Sequence, residues 1–382
     1  MSADPTNTVR VLQVVRPAAG GMKGHVLQLA RGLARFGFLA EIACPAGMDL
    51  ADDAEASGLL VHPVPIAGPL DPVHDPMAVL ALARLIRDRR PGLVHAHGFK
   101  AGLIARLAAR LAGRVPAIVT VHNHVLYRDI SRYTRWRYVT VERWLSGMTA
   151  RVVTVSDSLR DELVGQYGID PALVTTVHNG LDLEPFLADR DREAARARFG
   201  LPTGATVFGL AARFAPQKAL DVLVEAAGPV LDRQPDAWLL IAGDGPLLEQ
   251  VRAQAAGMRA GDRIIFPGFE RDVPALLRAL DVYASSALSE GLPLATIEAM
   301  AAGLPVVSTR AGGTPEVVEE GVTGLLVEPG DSAALAHAML QLSGDPIASR
   351  RMGDGGRARA LAEFTEGRML ERTAAVYREV LA

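Results

Sequence analysis

Short aliphatic and β-branched runs alternate along this chain with alanine- and leucine-rich stretches whose apolar positions recur every three or four residues. That rhythm is the pattern of βαβ units around parallel sheets. In the first half it predicts strands near Val9 to Val15, Leu39 to Ala43, Leu93 to His95, Ala117 to Val121 and Arg151 to Val155. A glycine-rich turn at Gly20 to Gly24 and a helix over His25 to Phe36, ended by Gly37, follow the first strand. The rhythm restarts at Thr206 to Leu210, with strands near Trp238 to Ala242, Arg263 to Phe266, Val282 to Ala284, Pro305 to Ser308 and Gly324 to Val327. Between the halves, a turn, a proline and a charged helix interrupt the apolar pattern and place a hinge near Asn179 to Phe186. The expected fold class is therefore α/β, with two doubly wound Rossmann-like domains at residues 1–182 and 183–364. Residues 365–382, with helical spacing at Met369, Leu370, Ala374, Val376, Tyr377 and Val380, form a last helix expected to pack back across the hinge.

Composition narrows the class. An apolar fraction of 49% and a charged fraction of 22% over 382 residues suit two globular cores. No apolar run reaches the roughly 18 residues of a membrane span, and the polar M-S-A-D-P-T-N-T start lacks a signal peptide's regions. The expected location is the cytoplasm. The single cysteine, Cys44, excludes an internal disulfide and argues against a thiolate zinc site. The net charge of -3 divides unevenly: residues 1–180 carry 20 Lys+Arg against 15 Asp+Glu, and the remainder 20 against 28. Nucleic acid is not an expected partner, since its binding leaves a strongly basic domain as footprint, but a local basic patch fits the first half.

In open α/β sheets ligands lie beyond the carboxyl ends of the strands, so the polar residues there are the candidates. G-G-M-K-G-H, Gly20 to His25, offers backbone N–H groups to an anion at a helix start, or simply makes a tight turn. H-A-H-G-F-K, His95 to Lys100, and T-V-H-N-H, Thr120 to His124, hold four histidines. With no acidic partner at ligand spacing, no metal site is expected, and one histidine of each pair is expected in the core while the other faces the cleft. Arg213 and Lys218, after the first strand of the second half, are suited to a departing diphosphate or are two solvated cations. A-G-D-G-P carries a G-x-G, but Leu248 replaces the third glycine and the motif is not in the first βα unit, against NAD. D-R-D at Asp189 to Asp191 reads as a solvated face rather than a metal pair. Glu290 and Glu298, in S-E-G-L-P-L-A-T-I-E, flank a helix start, so one carboxylate sits in a loop and the other about two turns along, at ~1.5 Å rise per residue. Both suit the hydroxyls of a ribose or hexose, while the amides of Leu292, Leu294 and Ala295 suit phosphate oxygens.

Taken in order, G-G-x-x-G-H, the histidine after T-V, V-S-D-S-L, H-N-G-L-D, R-F-x-x-x-K, A-G-D-G-P, the spaced glutamates and G-G-T-P-E resemble glycosyltransferase family 4 over nearly the whole chain. That family comprises retaining, nucleotide-sugar-dependent transferases of GT-B fold, two Rossmann-like domains facing across a cleft. The resemblance implies that His122, Arg213, Lys218 and Glu290 serve the reaction: Glu290 holds the transferred sugar, Arg213 and Lys218 the diphosphate, and His122 the donor sugar from the first domain. It implies donor binding by Glu298 at the ribose, by Gly21, Gly243, Leu292, Leu294 and Ala295, and by the base region containing Phe269 and Val273. The acceptor side is expected at Gly20, His25, Lys100 and Arg128. The co-substrate is a nucleotide-diphosphate sugar, with no cofactor and no metal required.

The reaction implied is hexosyl transfer to an acceptor hydroxyl, in cell-surface polysaccharide, glycolipid or related glycoconjugate synthesis. A nucleotide-sugar epimerase or hydrolase, or a non-catalytic sugar-nucleotide binder, are the competing readings. Between Tyr127 and Trp144, five arginines interleave with Tyr133, Trp136 and Tyr138. This suits a lipid diphosphate acceptor and peripheral attachment to an anionic membrane surface, or else an arginine-rich helix with its rings in the core.

Overall fold

The computed structural model describes residues 8–17, 20–68, 71–124, 131–188 and 191–382. They form two compact units: Met1–Gly180 together with Glu366–Ala382, and Leu181–Thr365.

The first unit is built on a parallel sheet of seven strands: β1 (Val9–Val15), β2 (Phe38–Cys44), β3 (Val61–Pro63), β4 (Leu93–His97), β5 (Ala117–Val121), β6 (Arg151–Thr154) and β7 (Val174–Thr176). Their order is β3-β2-β1-β4-β5-β6-β7. The order reverses direction between β1 and β4, where Gln13 pairs with His95 and Val15 with His97. A crevice opens at such a reversal because the connections on its two sides leave in opposite directions. Helices cover both faces, so β1 and β4 are buried along nearly their whole length and read as continuous apolar runs.

The second unit repeats the plan with six strands: β8 (Thr206–Ala211), β9 (Ala237–Ala242), β10 (Ile264–Gly268), β11 (Val282–Ala284), β12 (Val306–Thr309) and β13 (Gly324–Val327). The order is β10-β9-β8-β11-β12-β13, all parallel, reversing between β8 and β11. Each of the eleven strands expected from the sequence is present. The two additional ones, β3 and β7, are three-residue edge strands that, unlike the equally short but fully buried β11, are only partly buried and so carry no apolar run.

The first helix runs over Gly21–Gly32 rather than from His25, and the chain then tightens into a 3-10 turn at Leu33–Phe36. Gly20, at φ 60, supplies the left-handed entry, so the glycine run opens the helix instead of preceding it. Gly37, at φ 87, ends the segment as expected. The last helix, Glu366–Leu381, packs Met369, Leu370, Ala374, Val376 and Tyr377 into the first unit's core beside Val11, Leu29, Leu33 and Leu93. A Cβ on Gly32 would lie 2.3 Å from Leu370 Cδ1, so that glycine sets how closely the helix seats. Burying a side chain of Leu370's size is worth ~2 kcal/mol. No described helix is long and apolar enough to cross a membrane.

Candidate active site

In the second unit, the predicted residues gather at the reversal between β8 and β11. The segment after β8 carries Arg213, exposed, its carbonyl accepting from Ala215 N at 2.9 Å and its guanidinium without a hydrogen bond or ion pair among the described residues, then a short 3-10 turn, Pro216–Lys218. Ala219 follows in the left-handed region, at φ 44, while nearly fully buried. A non-glycine residue there is strained, and Ser286 Oγ donates to the carbonyls of both Lys218 (3.1 Å) and Ala219 (2.7 Å), holding the turn in place. Leu288 N donates to Gln217 O at 2.8 Å, tying the loop after β11 to the same turn.

Those ties bring Lys218 Nζ to 2.5 Å from Glu290 Oε1. The sequence assigned these two side chains to different parts of one ligand; the structure pairs them with each other. Glu290 is further fixed through its carbonyl, which accepts from Gly313 N at 3.1 Å in the G-G-T-P-E segment.

The helix Leu294–Ala301 begins directly after Pro293. The amides of Leu292, Leu294 and Ala295 take no hydrogen bond within the described residues, leaving donors free at a helix start. Glu298 lies four residues in. Its carboxyl has no hydrogen-bond or ion-pair partner among the described residues, and burial pushes its pKa up from 4.5 to about 7. A shielded carboxylate gains most from hydroxyl donors, such as the two of a ribose.

The two glycines of A-G-D-G-P have a mechanical reason. A Cβ on Gly243, at φ 139, would meet Ala212 O at 1.9 Å, and one on Gly245, at φ 152, would meet Phe214 O at 2.4 Å. They let the loop after β9 press against the loop that carries Arg213. Beyond β10, Phe269 is 73% exposed, a free ring face, and Val273 starts the helix capped by Asp272. Asp191 caps the helix Arg192–Arg198 through Glu193 N and Ala194 N, while Asp189 and Arg190 lie outside the described residues.

In the first unit, His95 and His97 are two residues apart and therefore point to the same side of β4. The expectation that one of them would face the cleft and the other the core is corrected: both are buried, with ring centroids 4.4 Å apart. Of the other pair, His122 is also buried, just past β5, and His124 is held by Glu162. His97 Nδ1 lies 3.2 Å from His122 Nε2, and His97 Nε2 lies 2.8 Å from Gln13 Oε1. Gln13 Nε2 donates to Tyr377 OH at 3.0 Å, and that hydroxyl lies 2.6 Å from His95 Nδ1. His95 Nε2 in turn lies 2.6 Å from Thr120 Oγ1.

His25, on the first helix, stands edge-on to His122 at 4.8 Å and to His97 at 5.5 Å. Neither of its ring nitrogens forms a hydrogen bond of good geometry among the described residues, although the Asn179 amide lies near enough to favour its charged form. Burial lowers His25 to about 4, His95 to about 3, and His97 and His122 well below 6.5, so all four rings are neutral at pH 7. Ring nitrogens of His25, His97 and His122 lie within 4.8 Å of one another, a spacing compatible with a metal ion, but the His97–His122 contact already occupies one nitrogen of each.

His122 and Asn123 line a cavity of about 280 Å³ with Arg16, Lys100, Tyr138 and Glu162. Lys100 is buried there against Asp75, and Arg106 behind it is paired with Glu142 at 2.8 Å. Gly20 and Gly21 are exposed at the first helix's start, where Gly24 N donates to Gly20 O. Arg128 lies outside the described residues. The helix Arg132–Ser146 buries only Leu145, so its rings do not form the core. Gln13 and Tyr377 were not predicted. Their polar atoms sit in strand and helix positions that pattern reading counts as core, and only the position of Gln13 inside an apolar strand could have flagged it.

Two parallel doubly wound units, each with its candidate groups at the reversal of strand order, define a GT-B glycosyltransferase architecture. The glycosyltransferase family 4 model matches residues 19–185 and the glycosyl transferases group 1 model residues 191–359. A D-inositol 3-phosphate glycosyltransferase of Saccharomonospora viridis is 33% identical over 95% of this chain and 90% of its own. An Escherichia coli UDP-Gal:alpha-D-GlcNAc-diphosphoundecaprenol alpha-1,3-galactosyltransferase is 28% identical over 72% of each. Among solved structures, Anabaena HepE in complex with UDP superposes with a TM-score of 0.84, at 22% identity over 97% of this chain and 100% of that one. Sucrose-phosphate synthase from Thermosynechococcus elongatus does so at 0.83, with 22% identity over 97% and 99%. The chain belongs to glycosyltransferase family 4 and is a glycosyltransferase.

Proposed function

We propose that this chain transfers a hexose from a uridine-diphosphate sugar to a hydroxyl of a phosphate-bearing acceptor, with retention of anomeric configuration. The observation that carries the donor reading is Glu298: a shielded carboxyl without partners, on a helix whose first amides are free, next to the Lys218–Glu290 pair. Ribose hydroxyls would satisfy Glu298, and diphosphate oxygens would take the Leu292, Leu294 and Ala295 amides. The uridine assignment draws on the UDP-Gal donor in the name of the Escherichia coli relative and on the UDP complex of HepE.

In the proposed reaction the bond from C1 to the diphosphate oxygen breaks as the acceptor oxygen approaches C1 on the same face. The acceptor's proton passes to the departing phosphate oxygen. Negative charge then grows on the diphosphate, where Lys218 and Arg213 offset it. Glu290 holds a hydroxyl of the transferred sugar once Lys218 turns to phosphate. His122, with a neutral ring, accepts a hydrogen bond from a ligand hydroxyl, and the cavity beside it, with Arg16 at its wall, receives the acceptor. Both inositol phosphate and lipid diphosphate acceptors, named for the relatives, carry the anion such a cavity suits.

A lipid-linked acceptor brings the enzyme to a bilayer. The helix Arg132–Ser146 exposes Tyr133 (66%), Trp136 (60%) and Trp144 (60%) among its arginines, and Trp144 borders an apolar groove with Leu80, Leu107 and Leu111. Amphipathic rings among cations suit the headgroup region of an anionic membrane, so we assign peripheral attachment to this face, in cell-surface glycoconjugate synthesis.

The test incubates the full chain with UDP-, GDP- and ADP-sugars and with inositol phosphate or prenyl diphosphate-sugar acceptors. Acceptor-dependent release of UDP, with an α-linked product from an α-linked donor, supports the reading. Release independent of acceptor, or an inverted product, contradicts it.

A further inference from the structure

The helices Asp75–Arg89 and Phe99–Leu111 pack side by side over a shared core that includes Leu82, Ala83, Ile104 and Ala108. The outer side of a helix that covers a sheet is ordinarily polar. Here the first helix turns Met77 and Leu80 outward, each 61% exposed, and the second ends on Leu111, 56% exposed. Between them lies a groove of about 600 Å³, the size of a small-ligand site, which Val79, Ile104 and Leu107 also line. Asp75 and Arg110 are the charged residues among its described lining. From Leu103 to Leu111 it follows the second helix for about 12 Å, at roughly 1.5 Å per residue.

The two ends of the groove differ. At the helix starts, the Asp75 carboxylate is turned to Lys100, and Lys100 lines the cavity beside His122. One ion pair is therefore the partition between an apolar groove and a polar cavity. In that cavity Asp75 offsets Lys100 and Glu142 offsets Arg106, while the Arg16 guanidinium has no hydrogen bond or ion pair among the described residues. At the helix ends, Leu111 and Arg110 meet Trp144 and Met148. Trp144 belongs to the helix Arg132–Ser146, the face assigned above to an anionic bilayer.

A ligand that fits the whole path is an amphiphile: an anionic, hydroxyl-bearing head in the cavity and one hydrocarbon chain in the groove, leading toward the bilayer face. A second copy of this chain would cover the groove but leave its junction with the cavity without a role. A diacyl lipid brings two chains to a groove that holds one.

We propose that the groove between the helices Asp75–Arg89 and Phe99–Leu111 binds the first isoprenoid units of a prenyl diphosphate-linked acceptor. The place of the head rests on the acceptor reading above; the tail site rests on the groove itself. Of the two acceptor classes considered there, the tail site selects the lipid diphosphate over inositol phosphate.

The experiment is isothermal titration of the full chain, without vesicles, with isopentenyl diphosphate and farnesyl diphosphate, which share a head and differ in chain length. Wild type should bind the farnesyl compound at least about tenfold more tightly, since each further buried methylene adds to affinity. Leu80→Gln with Leu111→Gln alters two exposed side chains, which the fold tolerates, and should remove most of that preference while leaving isopentenyl diphosphate unchanged. Ile347→Gln, an exposed apolar residue of the second unit, should change neither. Equal affinity for the two compounds, or a preference that the paired substitution leaves intact, overturns the proposal. So does tighter binding of dioctanoylglycerol diphosphate than of farnesyl diphosphate, which would make a diacyl lipid the occupant. A wild-type dimer in sedimentation velocity that the paired substitution dissolves, with no chain-length preference, would make the groove a self-interface and overturn it equally. Arg16→Gln separates the two readings: it should weaken both diphosphates alike. A chain-length preference that depends on Leu80 and Leu111, with binding indifferent to Arg16→Gln, would uphold the tail site and contradict the placing of the head in the cavity.

Discussion

Lys218 Nζ sits 2.5 Å from Glu290 Oε1, linking the loop after β8 to the loop after β11 at the reversal of strand order in the second unit. The pair holds the ends of the two loops in one place. Lys218→Met should leave Glu290 as an unpaired, largely shielded carboxylate and remove a cation from the diphosphate. Steady-state rates should fall by about 10² to 10³ in kcat, the usual cost of one charge-stabilising group. Glu290→Gln should cost less, because an amide still accepts a hydroxyl proton and keeps Lys218 in place.

Glu298 gives a pH signature without ligand. Its pKa is about 7 folded against an ordinary 4.5, so between those values the folded protein binds the extra proton and stability falls as pH rises. Above pH 7 the full cost, on the order of a few kcal/mol, is present; below pH 4.5 it is absent. Denaturation of Glu298→Gln at pH 8 and pH 5 should show stabilisation over wild type at pH 8 that vanishes at pH 5.

Gly243 separates packing from binding. With φ at 139 and Ala212 O only 1.9 Å from where a Cβ would be, Gly243→Ala should destabilise by about 2 to 4 kcal/mol in urea titrations. Gly24→Ala, inside the first helix with open space around it, should be neutral or add about 0.5 to 1 kcal/mol.

The exposed rings of the helix Arg132–Ser146 predict salt-sensitive binding to vesicles rich in phosphatidylglycerol. Replacing Trp136 and Trp144 with Ala should weaken sedimentation with such vesicles several-fold and leave turnover of a water-soluble acceptor unchanged. Equal binding to neutral vesicles would contradict the electrostatic part of the reading.

What the sequence displays is what local chemistry enforces. Apolar runs show β1, β8 and the other buried strands, down to the three-residue β11, while β3 and β7 lie partly exposed at the sheet edges and carry no such run. Arg213, Lys218, Glu290 and Glu298 could be read because strand ends collect ligand groups and small residues crowd around them. Their pairing could not: Lys218 and Glu290 are 72 residues apart, and the ties from Ser286 Oγ to the carbonyls of Lys218 and Ala219 and from Leu288 N to Gln217 O bring them together. The histidine cluster was half legible. Its members sit in readable motifs, but its organisation depends on Gln13 and Tyr377, 364 residues apart and both disguised as core. The helix start was misplaced for a backbone reason, because glycines at 20, 21 and 24 look like a turn while Gly20 alone makes it.

The central claim is that the second unit holds a uridine-diphosphate sugar through Glu298. Isothermal titration of a UDP-sugar into wild type and Glu298→Ala, at pH 6 to 8 in buffers of different ionisation enthalpy, tests it most directly. The account predicts saturable binding by wild type with net release of a proton near pH 6.5, as hydroxyl donors favour the carboxylate, and loss of most of the affinity in Glu298→Ala. Wild type that binds no UDP-sugar, or a variant that binds as tightly with the same proton release, would contradict it.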